Sequence, residues 1–171
     1  NLVLPLEPES METYDDKTLK LAVKYFYTFA QKLGAKNILS LFFQFLPEFW
    51  LLLRGGIPKL VLQIEFNEDS EEVLKKKISE LLIKLKPLKL RTHTVKSQKE
   101  ENKYWIIRRE SFNLLREKIK DKHTAPFIDD FVVRPEYLPE FLPELEQIMN
   151  KYPSLIYTIA GHLGEGNFHI I

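Results

Sequence analysis

The stretch Ala160-Gly161-His162-Leu163-Gly164-Glu165-Gly166-Asn167-Phe168-His169-Ile170-Ile171 restricts the fold of this chain more tightly than any other. Glycine in a two-residue loop supplies the positive φ that a tight hairpin needs. Glu165-Gly166 therefore predicts an antiparallel pair with Gly164 opposite Asn167, Leu163 opposite Phe168 and His162 opposite His169. Side chains alternate along a strand, so Asn167 and His169 share one face while Leu163 and Phe168 take the other. One face is polar and able to chelate; the other is apolar.

Directly opposed residues have Cβ atoms roughly 5 Å apart, close enough for two ring nitrogens to share one divalent ion at about 2.1 Å each. Two histidines do not complete such a site, which needs a third ligand. The plainer reading is a tight Gly-x-Gly turn whose histidines are satisfied by backbone carbonyls.

Elsewhere strands and helices interleave. Leu2 to Leu6 reads as a short opening strand. Asp15 or Asp16 can cap a helix carrying Leu19, Ala22, Val23, Phe26, Ala30 and Leu33 on one stripe, with Gly34 placed to end it. Leu60, Leu62, Ile64 and Phe66 alternate with Val61, Gln63 and Glu65 as in a half-buried strand. Ser70 then caps a helix burying Val73, Leu74, Ile78, Leu81, Leu82 and Leu85 before Pro87 stops it.

Leu88 to Val95 can form another strand, followed by a charged helix from about Ser97 to Lys120 with Trp105, Arg109 and Phe112 on one stripe. Phe127 to Val133 reads as a strand. Pro139 suits the first turn of the next helix, while Pro143 points to a later start or a kink. Leu155 to Ala160 leads into the terminal hairpin. The expected class is α+β: a mixed or antiparallel sheet with helices on one face, of ferredoxin-like character.

Ile38 to Leu53 is apolar, but Pro47 and Glu48 interrupt it. A membrane span needs about 20 mostly apolar residues, so the segment reads as core, as a buried contact with another domain or subunit, or as a patch lying on a membrane surface. Its partners would then include a second copy in a homodimer or a peripheral membrane contact.

At 171 residues, 44% of them apolar, the chain has enough material for one domain. Lysine and arginine (25) balance aspartate and glutamate (24), so no strong field favours nucleic acid or an acidic membrane. The absence of cysteine excludes disulfides, thiolate zinc sites and cysteine nucleophiles. It is compatible with a cytoplasmic location. Nothing from Asn1 onward resembles a secretory leader.

His162-Leu163-Gly164-Glu165-Gly166-Asn167-Phe168-His169 resembles the G-H-x-G-D-G-N-x-H signature of FAD-linked oxidases of the vanillyl-alcohol oxidase superfamily. It is most similar to the C-terminal domain shared by D-lactate dehydrogenases, glycolate oxidase subunits and D-2-hydroxyglutarate dehydrogenases. Trp105-Ile106-Ile107-Arg108 resembles the family's W-x-x-R, Ile128-Asp129-Asp130-Phe131-Val132-Val133 its acidic-then-apolar strand, and Leu2 to Pro8 the strand opening the domain. The resemblance covers most of the chain. It implies that residues 1–171 are a partial C-terminal domain, with an FAD-binding domain upstream and the rest of the domain downstream.

By resemblance, His162 and His169 are metal ligands beside the flavin. The family's third ligand, a glutamate in a Glu-His-Gly motif, would lie downstream. Arg108 anchors the substrate carboxylate, a task suited to a guanidinium's paired donors. Asn167 orients substrate or a ligand histidine, and Gly164, Gly166 and Asn167 lie against the cofactor. His169 is a candidate base, though it cannot be ligand and base at once.

The implied cofactors are FAD, held mainly by another domain in cis or in trans, and a divalent metal such as zinc. The implied substrate is a D-2-hydroxy acid. Ile128 stands where hydroxyglutarate enzymes place a lysine, which favours a monocarboxylate such as lactate or glycolate, or a longer apolar hydroxy acid, over hydroxyglutarate. Asp129 and Asp130 could contact the groups around the ligand histidines but read more readily as a solvated edge or a helix-facing ion pair, and His93 and His123 as surface histidines. Two further readings are a standalone ferredoxin-like module holding a regulatory metal, and a subunit docking through Phe42 to Leu53 onto a flavin-bearing partner. Neither would be catalytic alone.

Overall fold

The computed structural model describes residues 2–25, 27, 55–118 and 130–170. Its sheet comprises β1 (Ser10–Asp15), β2 (Leu60–Glu65), β3 (Phe131–Val132), β4 (Ile159–His162) and β5 (Asn167–Ile170). The helices are α1 (Asp16–Lys24), α2 (Glu71–Leu85), α3 (Gln98–Lys118) and α4 (Leu138–Asn150). The strands run in the order β2-β1-β4-β5-β3, and each neighbouring pair is antiparallel.

Because side chains alternate, the register decides which residues share a face. Glu12 pairs with Gln63 on one side and His162 on the other, His162 pairs with Asn167, and Asn167 pairs with Val132. These residues form one row across the sheet. Met11, Ile64, Ile159, Phe168, Ile170 and Phe131 belong to the opposite face, and that face is the apolar one.

Two helices cover it. Leu81 of α2 packs with Val3 and Leu6, joined by Met11, Ile64, Phe66 and Leu85. Leu138 and Leu145 of α4 pack on Phe168, joined by Phe131, Phe141, Ile159 and Ile170. Phe168 is almost wholly buried, stacked on Phe131 and tilted against Phe141 with both centroids 5.5 Å away. Truncating such a residue costs about 3 to 5 kcal/mol, so this aromatic group anchors the hairpin to α4. α1 packs against α3, whose Lys103 and Ile107 are buried one turn apart.

Helix starts follow side-chain chemistry. Asp15 caps α1, accepting the Thr18 backbone N–H at 3.0 Å. Ser70 stands at the N-cap of α2 without a side-chain bond, and Glu71 and Glu72 in the first turn complement the helix dipole. α4 starts at Leu138 and runs through Pro143, whose missing N–H and fixed φ do not end it.

Several sequence expectations are corrected. The opening strand is a 3-10 turn at Leu4–Leu6, since Pro5 lacks the N–H a ladder needs; the first strand is Ser10–Asp15. Leu88 to Val95 is not a strand: Lys89 has φ 52° and Leu88 and Leu90 are exposed, so this segment has no sheet edge to bury against. The buried stripe of α3 passes through Lys103 and Ile107, while Arg109 is exposed. The segment Ile38 to Leu53, the helix end at Gly34, and Ile128, Asp129 and His123 lie outside the described residues. Among those described, no helix is long and apolar enough to cross a membrane.

Candidate functional site

The β4–β5 hairpin closes through a four-residue turn rather than a two-residue loop. Its strands pair Ile159 with Ile170, Ala160 with His169, Gly161 with Phe168 and His162 with Asn167. The expected opposition of His162 and His169 is therefore corrected. Glu165 N–H donates to His162 O and Gly166 N–H to Leu163 O, so the turn winds through two more residues than the loop read from Glu165-Gly166. A two-residue shift preserves faces, because the side-chain period is two. His162, Asn167 and His169 still project together, with the imidazoles diagonal neighbours, centroids 6.1 Å apart and edge to face.

The turn glycines have packing reasons. Gly166 has φ 72°, and a Cβ there would meet Val133 O at 1.9 Å, because its own carbonyl accepts the Val133 N–H. Beside Gly164, a Cβ would come 3.2 Å from Met11. Gly161 lies so close to the Phe168 backbone that a Cβ would be 2.3 Å from its Cα.

Each imidazole has a carboxylate behind it. His162 Nδ1 is 2.7 Å from Glu12 Oε1, and His169 Nδ1 is 2.5 Å from Asp130 Oδ1. An ionised carboxylate only accepts, so each Nδ1 carries the hydrogen of its pair. This is the arrangement by which carboxylates set the tautomer and orientation of metal-ligating histidines. The two differ in setting: the Glu12 side chain is 4% exposed, that of Asp130 60%.

Glu12 also meets Arg108 of α3, with Oε2 2.6 Å from Nη2. That contact is an ion pair without hydrogen-bond alignment at Oε2. One buried carboxylate thus touches the cation that sequence marked as a carboxylate anchor and the imidazole it marked as a ligand. Gln63 Oε1 and Asn167 Oδ1 flank this group in the row as buried acceptors with no hydrogen-bond partner among the described residues. A buried acceptor left unmade costs about 1 to 3 kcal/mol, so these positions suit a donor from a ligand or water.

Arg108, His162, Asn167 and His169 are thus brought to one side of the sheet. Glu12 and Gln63 were missed by sequence reasoning, and Asp130, weighed as a contact to this group but read rather as a solvated edge or ion-pair partner, meets His169 from an exposed position. The available signal was an acid in the middle of Ser10–Asp15, between residues that become buried. Among the described residues no group of three or more potential ligands is arranged to hold a metal.

Residues 5–171 match the family model for FAD linked oxidases, C-terminal domain. No curated protein matches the chain.

Proposed function

The chain belongs to the family of FAD linked oxidases, C-terminal domain, and we propose that it forms the substrate-binding part of an FAD-dependent dehydrogenase or oxidase of D-2-hydroxy acids. The product is the 2-oxo acid, and the preferred substrate is a monocarboxylate of the lactate or glycolate kind. The observation that carries this reading is the polar sheet face on which Arg108, Asn167 and two carboxylate-backed imidazoles converge.

Oxidation of a 2-hydroxy acid removes a hydride from the α-carbon and a proton from the hydroxyl. FAD, held chiefly by another domain in cis or in trans, supplies the hydride acceptor when bound. Arg108, its fork steadied by Glu12, grips the substrate carboxylate, a task suited to paired N–H donors. Asn167 Oδ1 accepts a donor from the substrate and fixes its orientation.

His169 Nε2 can take up the hydroxyl proton, with Asp130 stabilising the imidazolium that results. The same lone pair could instead hold a metal, so His169 serves as ligand or base, one at a time. A divalent ion such as zinc, held by His162 and His169 through Nε2, would polarise the substrate hydroxyl.

The test is the full-length gene product, purified from its source and mixed anaerobically with D-lactate and glycolate. Bleaching of the flavin absorption by either acid is the expected result. Bleaching by neither, with a flavin that dithionite still reduces, overturns the assigned substrate class.

A further inference from the structure

Glu12 is a carboxylate in the middle of a strand, 4% exposed, between Gln63 and His162 in the sheet row. Taking such a group out of water is costly, and replacing a buried ion pair by well-packed apolar residues is often neutral or stabilising. Its presence is therefore weakly explained by stability. Its two oxygens are instead divided between two functional side chains: Oε1 lies 2.7 Å from His162 Nδ1, and Oε2 2.6 Å from Arg108 Nη2.

We propose that Glu12 is a positioning residue shared by both halves of the site, setting the tautomer and ring orientation of His162 while holding the Arg108 fork above the same sheet face. This rests on the reading of Arg108 as carboxylate anchor and His162 as ligand. The division of labour has a geometric basis. β1 is central enough to place Glu12 opposite His162 on β4, and α3, packed on α1, brings Arg108 to the other oxygen. A single carboxylate can then keep the metal-holding nitrogen and the carboxylate-binding cation at a fixed separation, which pre-organises the site for a ligand bearing a hydroxyl next to a carboxylate.

Asp130 acts on one histidine from an exposed position, and among the described residues its ion pair is with His169 alone. Glu12 is the group that joins the two roles. Losing it should therefore affect metal and carboxylate binding together, which no merely structural residue need do.

The experiment uses protein labelled with 15N at histidine, the wild type beside Glu12→Gln. In the wild type His162 is expected as the Nδ1–H tautomer with Nε2 unprotonated. In Glu12→Gln that preference weakens, Co2+ affinity falls by about 10- to 100-fold, and D-lactate affinity falls with it. An Nε2–H tautomer for His162 in the wild type overturns the proposal, and this readout stands even where the variant fails to fold. A folded Glu12→Gln protein with wild-type Co2+ and D-lactate affinities overturns it too. A wild type that binds no Co2+ yet keeps Nδ1–H on His162 sinks the metal reading and supports the placement of the imidazole by Glu12.

Discussion

Asp15 and Thr158 are joined by a buried hydrogen bond, the threonine hydroxyl donating to Asp15 Oδ1 at 2.7 Å. The other oxygen accepts the Ile159 backbone N–H at 3.1 Å, and Oδ1 also caps α1 through Thr18 N–H. Thr18 and Thr158 hydroxyls meet beside it. One carboxylate thereby pins the end of β1 to the start of β4 and to α1. Three residues back on the same strand lies Glu12, opposite His162, and a one-residue slip would send Glu12 to the apolar face.

Asp15→Ala should therefore cost about 3 kcal/mol, combining a lost cap with buried donors left unmade. Asp15→Asn keeps an acceptor and should cost about 1 kcal/mol. Urea unfolding of both variants measures this, and equal losses would show that the negative charge, not the acceptor geometry, is what these donors require.

Gly166 and Gly56 separate backbone strain from crowding. Both have positive φ, 72° and 67°, but a Cβ at Gly56 meets nothing within 4 Å, whereas at Gly166 it runs into the Val133 carbonyl. Alanine at Gly56 should cost about 1 kcal/mol, the left-handed penalty alone. At Gly166 the cost should be about 3 kcal/mol or more, because β3 must move to admit the methyl. Thermal unfolding of the two variants compares them, and similar losses would mean that the turn opens without strain.

The apolar half of this fold was legible in the sequence. Leu60 to Glu65 and the helix to Leu85 declare themselves by period, though only part of each stripe meets the core: Ile64 and Leu85 pack with buried Leu81, while Leu60, Leu62, Val73 and Leu82 are exposed among the described residues. β1 was not legible for a physical reason. Its site-facing positions carry Glu12 and Tyr14, and its core-facing positions carry Thr13 and Asp15 beside Met11, so it buries polar groups through specific partners instead of apolar surface. A strand that builds a site does not show the hydrophobic alternation by which strands are recognised. The histidines were legible as a pair on one face because an even shift of register leaves faces unchanged, while the identity of the residue opposite His169 depended on turn geometry. Arg108 was legible only through the resemblance, and the carboxylate holding it lies 96 positions away in sequence, beyond the reach of any local pattern.

The start of α3 gives a pH-dependent prediction. Ser97 Oγ accepts the Glu100 N–H at 3.3 Å while Glu100 Oε2 accepts the Lys96 N–H at 2.8 Å, a reciprocal cap. The Lys96 N–H first, and the His93 ring second, hold the Glu100 carboxyl below its ordinary value. A carboxyl whose folded pKa is depressed stabilises the fold above its unfolded pKa, and that stability is lost as pH falls through the folded value. Glu100→Gln should therefore cost about 1 kcal/mol at neutral pH, the scale of a capping bond, with the difference from wild type shrinking in acid. Urea unfolding at several pH values checks it; a difference independent of pH would assign the effect to packing.

The two carboxylate-backed histidines should respond unequally to loss of their partners. Removing either Nε2, by His162→Ala or His169→Ala, takes away a ligand and should weaken Co2+ or Zn2+ binding by at least about tenfold. Asp130 is 60% exposed, so water can replace its hydrogen bond to His169, and Asp130→Asn should weaken binding by less than about fivefold, the scale of an exposed ion pair. Calorimetric titration with Zn2+ at fixed pH and ionic strength ranks the three variants. If His169→Ala keeps wild-type affinity, the ion is not held by the hairpin, and His169 is left with the proton-accepting role alone. If instead Asp130→Asn matches His169→Ala, the exposed carboxylate is itself a ligand, and the site draws its third group from the strand beside the hairpin.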